Sequence, residues 1–273
     1  MSASTLTFIG GGNMARSLIA GLVRQGVPAA SIHVAEPVAA LREQLQADFA
    51  VNPHADAATA AAHGAVWVLA VKPQVLREVC ASLAGLAQAQ QPLVVSIAAG
   101  ITSAQLTRWL GGHAAVVRAM PNTPALLGAG VTGLFATATV SDAQRALADT
   151  VLASAGRTVW IEEEARMDAV TAVSGSGPAY VFLLAEAMES AAIAQGLPAD
   201  AARTLVVQTL LGASRMLDES DDAPAELRRR VTSPNGTTQA AIERFQADGF
   251  EAIVARAIEA ATVRGQELSA AND

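Results

Sequence analysis

A glycine-rich turn at the very start of the chain limits the fold more than any other feature. Thr7-Phe8-Ile9-Gly10-Gly11-Gly12-Asn13-Met14-Ala15 puts three glycines directly behind a short apolar run and directly ahead of a helical pattern. Strand, tight turn and helix in that order open a dinucleotide-binding βαβ unit. Gly10 permits the turn, Gly12 lets backbone approach a pyrophosphate, and Ala15 is small enough for helix and strand to pack closely. The helix that begins around Asn13 and Met14 aims unpaired N–H groups and partial positive charge at the phosphates. A run of three glycines is by itself only a flexible turn. What decides is whether further βα units follow.

They do. Short β-branched runs alternate with helical periodicity, the pattern of a parallel sheet covered by helices. The expected strands are 6–9, 32–35, 66–70, 93–97 and 115–118, with two more at 131–136 and 158–161. Helices are expected at 14–24, 38–47, 75–83 and 143–154, with Gly26 placed to end the first in a left-handed turn. After Glu162-Glu163-Glu164 the character changes to Ala/Leu-rich helical periodicity alone, over 165–173, 179–195, 200–218, 238–246 and 250–268. The fold class is therefore α/β: an N-terminal Rossmann domain, residues 1–163, followed by an all-helical domain, residues 164–273, for substrate binding and dimerisation. Helices this rich in alanine bury little area each and gain by packing against many neighbours, so a homodimer with interleaved helices is expected.

Composition narrows the function classes. With 52% hydrophobic and 16% charged residues the chain has ample core and is too apolar for disorder. Its net charge is −7, and Arg228-Arg229-Arg230 is the only basic run, so nucleic-acid binding is not expected. One cysteine, Cys80, forbids an internal disulfide and suits a reducing, cytoplasmic setting. The first residues lack the pattern of a secretory signal. The uncharged stretch 119–141 is broken by two prolines and three glycines, so no membrane span is expected there. His33, His54, His63 and His113 are scattered and fall in no motif; no metal site is read from them.

Five further features carry chemistry. Glu36 ends the second strand, where an acidic side chain accepts hydrogen bonds from adenosine ribose hydroxyls and repels a 2′-phosphate, which favours NADH. Arg42, more than a helical turn further on, could swing toward such a phosphate. Ala70-Val71-Lys72-Pro73 leaves a strand at the carboxyl edge of the sheet and contains the chain's single lysine, suited to the cofactor's phosphate–ribose bridge. Arg118-Ala119-Met120-Pro121-Asn122-Thr123-Pro124 leaves another strand at that edge, and the Asn122 amide can donate and accept toward a nicotinamide or a substrate. In the helical half, Ser174-Gly175-Ser176-Gly177-Pro178 is a Ser/Gly hinge. Thr232-Ser233-Pro234-Asn235-Gly236-Thr237-Thr238 gathers hydroxyls and backbone amides at a helix start, a neutral cradle for a carboxylate.

Taken together, Phe8–Met14, Ala70–Pro73, Met120–Pro124, Ser174–Tyr180 and Thr232–Thr238 resemble pyrroline-5-carboxylate reductase, in that family's order and across nearly the whole chain. Single pieces are shared with other 6-phosphogluconate-dehydrogenase-like enzymes; Ser-Gly-Ser-Gly-Pro-Ala-Tyr with Thr-Ser-Pro-x-Gly-x-Thr is specific. The resemblance implies reduction of L-1-pyrroline-5-carboxylate to L-proline with NADPH or NADH. It also implies an interlocked homodimer, in some members a decamer of five dimers. It assigns the cofactor to Ile9, Gly10, Gly12, Asn13, Met14, Ala70, Val71, Lys72 and Pro73, to which Glu36 and Asn122 are added from their positions. It assigns the substrate to Ser233, Gly236, Thr237 and Thr238, the last near the ring nitrogen as the catalytic contact; Asn235 and Ser176 complete the expected set. Asn235 stands where the family more usually has glycine, which a left-handed backbone there would accommodate. Two rival readings are a reductase of another cyclic imine and a dinucleotide-binding regulator without turnover.

Overall fold

The computed structural model describes residues 4–272. These group into two compact units, one formed by residues 4–176 together with 260–272, the other by 177–259.

In chain order the first unit contains β1 (Leu6–Ile9), α1 (Asn13–Arg24), β2 (Ile32–Ala35), α2 (Ala39–Phe49), β3 (Asn52–His54), α3 (Ala57–Ala61), β4 (Val66–Leu69), α4 (Pro73–Gln90), β5 (Leu93–Ser96), α5 (Ser103–Trp109), β6 (Ala115–Met120), β7 (Gly130–Ala136), α6 (Asp142–Ala153), β8 (Gly156–Trp160) and α7 (Met167–Val170). The second holds α8 (Gly177–Ala194), α9 (Ala199–Glu219), α10 (Pro224–Arg230) and α11 (Thr237–Ala247). A last helix, α12 (Phe250–Ala271), begins in the second unit and ends in the first.

The sheet order is β3-β2-β1-β4-β5-β6-β7-β8. The first six strands are parallel; β7 runs antiparallel to β6, and β8 lies parallel to β7. Strand order therefore reverses between β1 and β4, where a doubly wound sheet opens a crevice at its carboxyl edge. Successive side chains of a strand face opposite sides, and both sides are covered. Phe8, Val34 and Val68 join Leu18 and Leu22 of α1 and Val151 of α6 on one face. Ile9, Trp67, Leu69 and Val94 join Leu76 and Leu83 of α4 on the other. Each fully buried side chain of this kind contributes roughly 1.5–3 kcal/mol.

Local chemistry sets the ends of the elements. Thr102 with Gln105 and Ser141 with Gln144 form capping boxes at α5 and α6, and the Asp56 carboxylate caps α3. Gly26, at φ 87°, ends α1 as expected, whereas α2 and α4 end on left-handed Ala50 and Gln91, where a side chain is strained. Three short elements of the first unit, β3, α3 and α5, depart from the sequence expectation. The first contains Pro53, tolerated because β3 is an edge strand, and the helices are too short to show a 3.6-residue period. The seven-residue α10 departs for the same reason. The histidines depart too: His33 on β2, His54 on β3 and His63 in the turn before β4 come together, because adjacent strands and a returning turn meet there. His113 stands apart from that group of three.

Candidate functional site

At the carboxyl edge three turns of the first unit are locked to one another. The Gly10 amide donates to the Ala35 carbonyl at 2.9 Å and the Ala70 amide to the Ile9 carbonyl at 2.8 Å, so the ends of β1, β2 and β4 are stitched side by side. Gly10 sits at φ 107°, and a Cβ there would lie 2.7 Å from the Ala70 carbonyl oxygen and 3.0 Å from Val71 Cγ1. Only glycine fits. Gly12 differs: its backbone is ordinary extended, φ −70° and ψ −179°, and a Cβ would meet nothing within 4 Å. It caps α1 without any side-chain hydrogen bond, and Asn13 and Met14 follow as the first helical residues. The first amides of a helix have no partner four residues back. An exposed, side-chain-free cradle therefore faces the crevice, and the residues present suit a dinucleotide's diphosphate.

Glu36 is buried beside this cradle. Its Oε2 accepts from the Gly11 amide at 3.3 Å and its Oε1 from the Val38 amide at 2.9 Å. The carboxylate thus shapes the glycine turn while keeping lone pairs for further donors. Arg42 clasps the Glu36 and Pro37 carbonyls, both at 2.8 Å, so its guanidinium is held next to the acid. Lys72 is exposed and caps α4, with Pro73 as the first helical residue. The structure thus brings Ile9, Gly10, Gly12, Glu36, Ala70 and Val71 to one edge.

Asn122 is 9% exposed, and its amide is engaged at both ends. Oδ1 accepts from the Val131 amide at 3.0 Å and Nδ2 donates to the Ser174 carbonyl at 3.1 Å. It clamps the end of β6 to β7 and to the π-helical turn Thr171–Gly175, leaving one amide hydrogen for anything else. Ser176 follows this turn, its amide donating to the Thr171 carbonyl at 2.8 Å.

Sequence reasoning missed a polar network in the same unit. Arg118, 7% exposed on β6, donates to Glu164 Oε1 at 2.8 Å. The same carboxylate accepts from the Ser103 amide at 2.6 Å and from its hydroxyl at 2.5 Å. Burial pushes the Glu164 carboxyl up, but the Ser103 hydrogen bonds and the Arg118 guanidinium outweigh it and hold the group below the ordinary range. Burial raises neighbouring Asp168, and Arg118 opposes that shift while Glu164 adds to it. The available signal was a lone arginine inside the apolar run Ala115–Met120, since a buried charge demands a partner.

In the second unit Gly236 caps α11 with no side-chain hydrogen bond. Its amide donates to the Ser233 carbonyl at 3.0 Å, curling the backbone so that Thr237 and Thr238 open the helix. Asn235 is left-handed at φ 59°, the conformation that accommodates asparagine in place of glycine, and its amide donates to Gln239 Oε1 at 2.7 Å. The Thr232 hydroxyl is turned away, bonded to the Arg228 carbonyl at 2.7 Å. Ser233, Asn235, Gly236, Thr237 and Thr238 are thus gathered around one helix start.

Known proteins resemble this chain along nearly its whole length. Residues 164–268 match the family described as Pyrroline-5-carboxylate reductase dimerisation, and residues 5–100 match NADP oxidoreductase coenzyme F420-dependent. The chain is 53% identical to the pyrroline-5-carboxylate reductase of Pseudomonas aeruginosa over 98% of both chains. A solved pyrroline-5-carboxylate reductase from Coxiella burnetii superposes with a TM-score of 0.95 at 39% identity, covering 98% of this chain and 99% of that one. The Plasmodium falciparum pyrroline carboxylate reductase, solved with NADP bound, superposes at 0.85 with 27% identity, covering 98% and 99%.

Proposed function

The chain belongs to the pyrroline-5-carboxylate reductase family, and from that premise we infer how its own residues carry the reaction. Reduced nicotinamide dinucleotide supplies hydride to the C=N carbon of L-1-pyrroline-5-carboxylate and yields L-proline, the last step of proline biosynthesis. The observation that carries the assignment of the cofactor site is the open cradle at Gly12, at the point where strand order reverses.

The amides that open α1 at Asn13 and Met14 take the diphosphate, with Gly10 and Gly12 allowing close approach. Ala70, Val71, Lys72 and Pro73 flank the phosphate–ribose bridge, and Glu36 accepts from the adenosine ribose. Asn122 orients the nicotinamide side through its remaining amide hydrogen. The carboxylate of the substrate rests on the amides and hydroxyls of Ser233, Asn235, Gly236 and Thr237, and the Thr238 hydroxyl meets the ring nitrogen. A pyrroline nitrogen protonates readily, so the reaction needs no strong general acid and the residues' task is orientation. Holding donor and acceptor carbons at about 3–3.5 Å supplies on the order of 7–11 kcal/mol of barrier lowering.

The working assembly in this reading is a homodimer built on the 164–273 domain, able to assemble five dimers into a decamer. The apolar surface left on the helices supports it: Phe182 is 67% and Leu183 66% exposed on α8, and Leu205 and Leu211 of α9 are also exposed. No helix of the described residues is long and apolar enough to cross a membrane. A cytoplasmic setting is supported by the one cysteine, Cys80, buried so that its thiol is pushed up to about 12.

The test is oxidation of NADH and of NADPH, side by side, with pyrroline-5-carboxylate. Turnover with product L-proline is the expected result. Binding of either cofactor with no turnover on this imine would overturn the assignment.

A further inference from the structure

The two edge strands of the sheet carry a cluster that the reductase chemistry does not use. His33 lies on β2, His54 on the outermost strand β3, and His63 in the turn that leads from α3 to β4. One ring nitrogen from each lies within 4.8 Å of the other two, and His33 Nδ1 is 2.9 Å from His54 Nε2. The rings stack with centroids 4.3–5.4 Å apart, His33 against His63 most closely. We propose that His33, His54 and His63 form a binding site for a divalent transition metal of the zinc type, with one coordination position left open to solvent.

The chemistry of the donor set argues for this. Borderline metals such as Zn²⁺, Ni²⁺ and Cu²⁺ favour neutral imidazole, and three protein ligands plus an open position is a common zinc arrangement. Tetrahedral bonds of about 2.0–2.1 Å place ligand nitrogens roughly 3.3–3.4 Å apart, within the 4.8 Å that holds the three ring nitrogens, and metal binding turns the stacked rings so that their lone pairs converge. Burial first, and then the neighbouring imidazoles, lower the pKa of His33; His54 is lowered by burial and His63, with Asp56 opposing. His33 and His54 are half-buried on strands held in register, whereas His63 is exposed and gives access. The Asp56 carboxylate, which acts on His54, is committed to the Thr59 amide and hydroxyl, both at 2.8 Å.

The test titrates chelator-treated, full-length protein with Zn²⁺ and with Ni²⁺ by calorimetry, and follows the melting temperature with and without metal. Wild type should bind one ion per chain in the micromolar range or tighter, with a metal-dependent rise in melting temperature. His33→Gln, His54→Gln and His63→Gln should each weaken binding at least tenfold and abolish the rise, while His113→Gln, outside the cluster, behaves as wild type. His63→Gln is the decisive variant because its exposed ring can be lost without harm to folding, verified by an unchanged melting temperature in chelator. No saturable binding by wild type, or equal affinity in His63→Gln, would overturn the site.

Discussion

Replacing Gly12 with alanine should separate cofactor binding from folding. The residue is extended rather than left-handed, and an added Cβ touches nothing within 4 Å, so the folded chain absorbs it without strain. Two small effects on stability oppose each other. Restricting the unfolded chain favours alanine by about 0.4–1 kcal/mol, and the poorer N-cap disfavours it by about as much. The expected change in melting temperature is therefore within about 3 °C, since 1 kcal/mol moves a protein of this size by roughly 2–4 °C. Binding responds differently, because the methyl stands where a diphosphate must approach the first amides of α1. Loss of one charge-assisted hydrogen bond costs about 1.5–3 kcal/mol, or about ten- to 150-fold in Kd. Gly10→Ala is the contrast: at φ 107° and 2.7 Å from the Ala70 carbonyl it adds on the order of 1–3 kcal/mol of backbone strain and a clash, lowering stability as well as affinity. NADH fluorescence titration beside thermal denaturation reads both quantities. Gly12→Ala with wild-type affinity for both dinucleotides would refute the placement of the phosphates.

Other substitutions probe other parts of the site. Glu36→Gln removes the charge and keeps one acceptor oxygen, so either the Gly11 or the Val38 amide loses its partner. The NADPH to NADH ratio of kcat/KM should then rise by about tenfold or more, since one unit charge at close range near a surface is worth one to a few kcal/mol; an unchanged ratio would mean the carboxylate does not face the ribose. Thr238→Ala should lower kcat and Ser233→Ala should raise KM, each by about tenfold, the worth of one hydrogen bond of roughly 1.4 kcal/mol; steady-state kinetics showing both variants unaffected would remove the substrate from α11. Ala50→Gly relieves a left-handed C-terminal residue and should stabilise by about 0.5–1 kcal/mol in urea unfolding, with activity unchanged. Glu164 is held below its ordinary pKa in the fold, so it contributes stability at neutral pH that is lost as pH falls through the carboxylate range. The acid-side decline in melting temperature should be shallower in Glu164→Gln, and parallel curves would remove Glu164 from that slope.

The parts of this molecule legible in the sequence are those written in contiguous residues. The turn Gly10–Gly12, the alternating strands of the sheet and the helix start at Gly236 each combine a local pattern with a local backbone demand. Glu36 was placed correctly at the end of β2, but its hold on the Gly11 amide joins residues 25 positions apart, which no spacing announces. Asn122 reads as a free amide in sequence and proves to be clamped between Val131 and Ser174. The histidine trio assembles through strand order, since β2 and β3 become neighbours only once the sheet forms. Arg118 and Glu164 follow the same rule, their pairing set by tertiary closure and not by proximity along the chain.

The last turns of α12 give the chain an unusual economy. Gln105 Nε2 donates to the Ser269 carbonyl at 3.0 Å, the Asn272 amide reaches the Gly100 carbonyl at 3.3 Å, and Gly265 fits closely against Asp168. Residues 260–272 are thus masonry for a unit whose strands all lie before residue 161. A nascent chain can form the sheet as soon as β8 is made but cannot finish that unit until α12 has followed it.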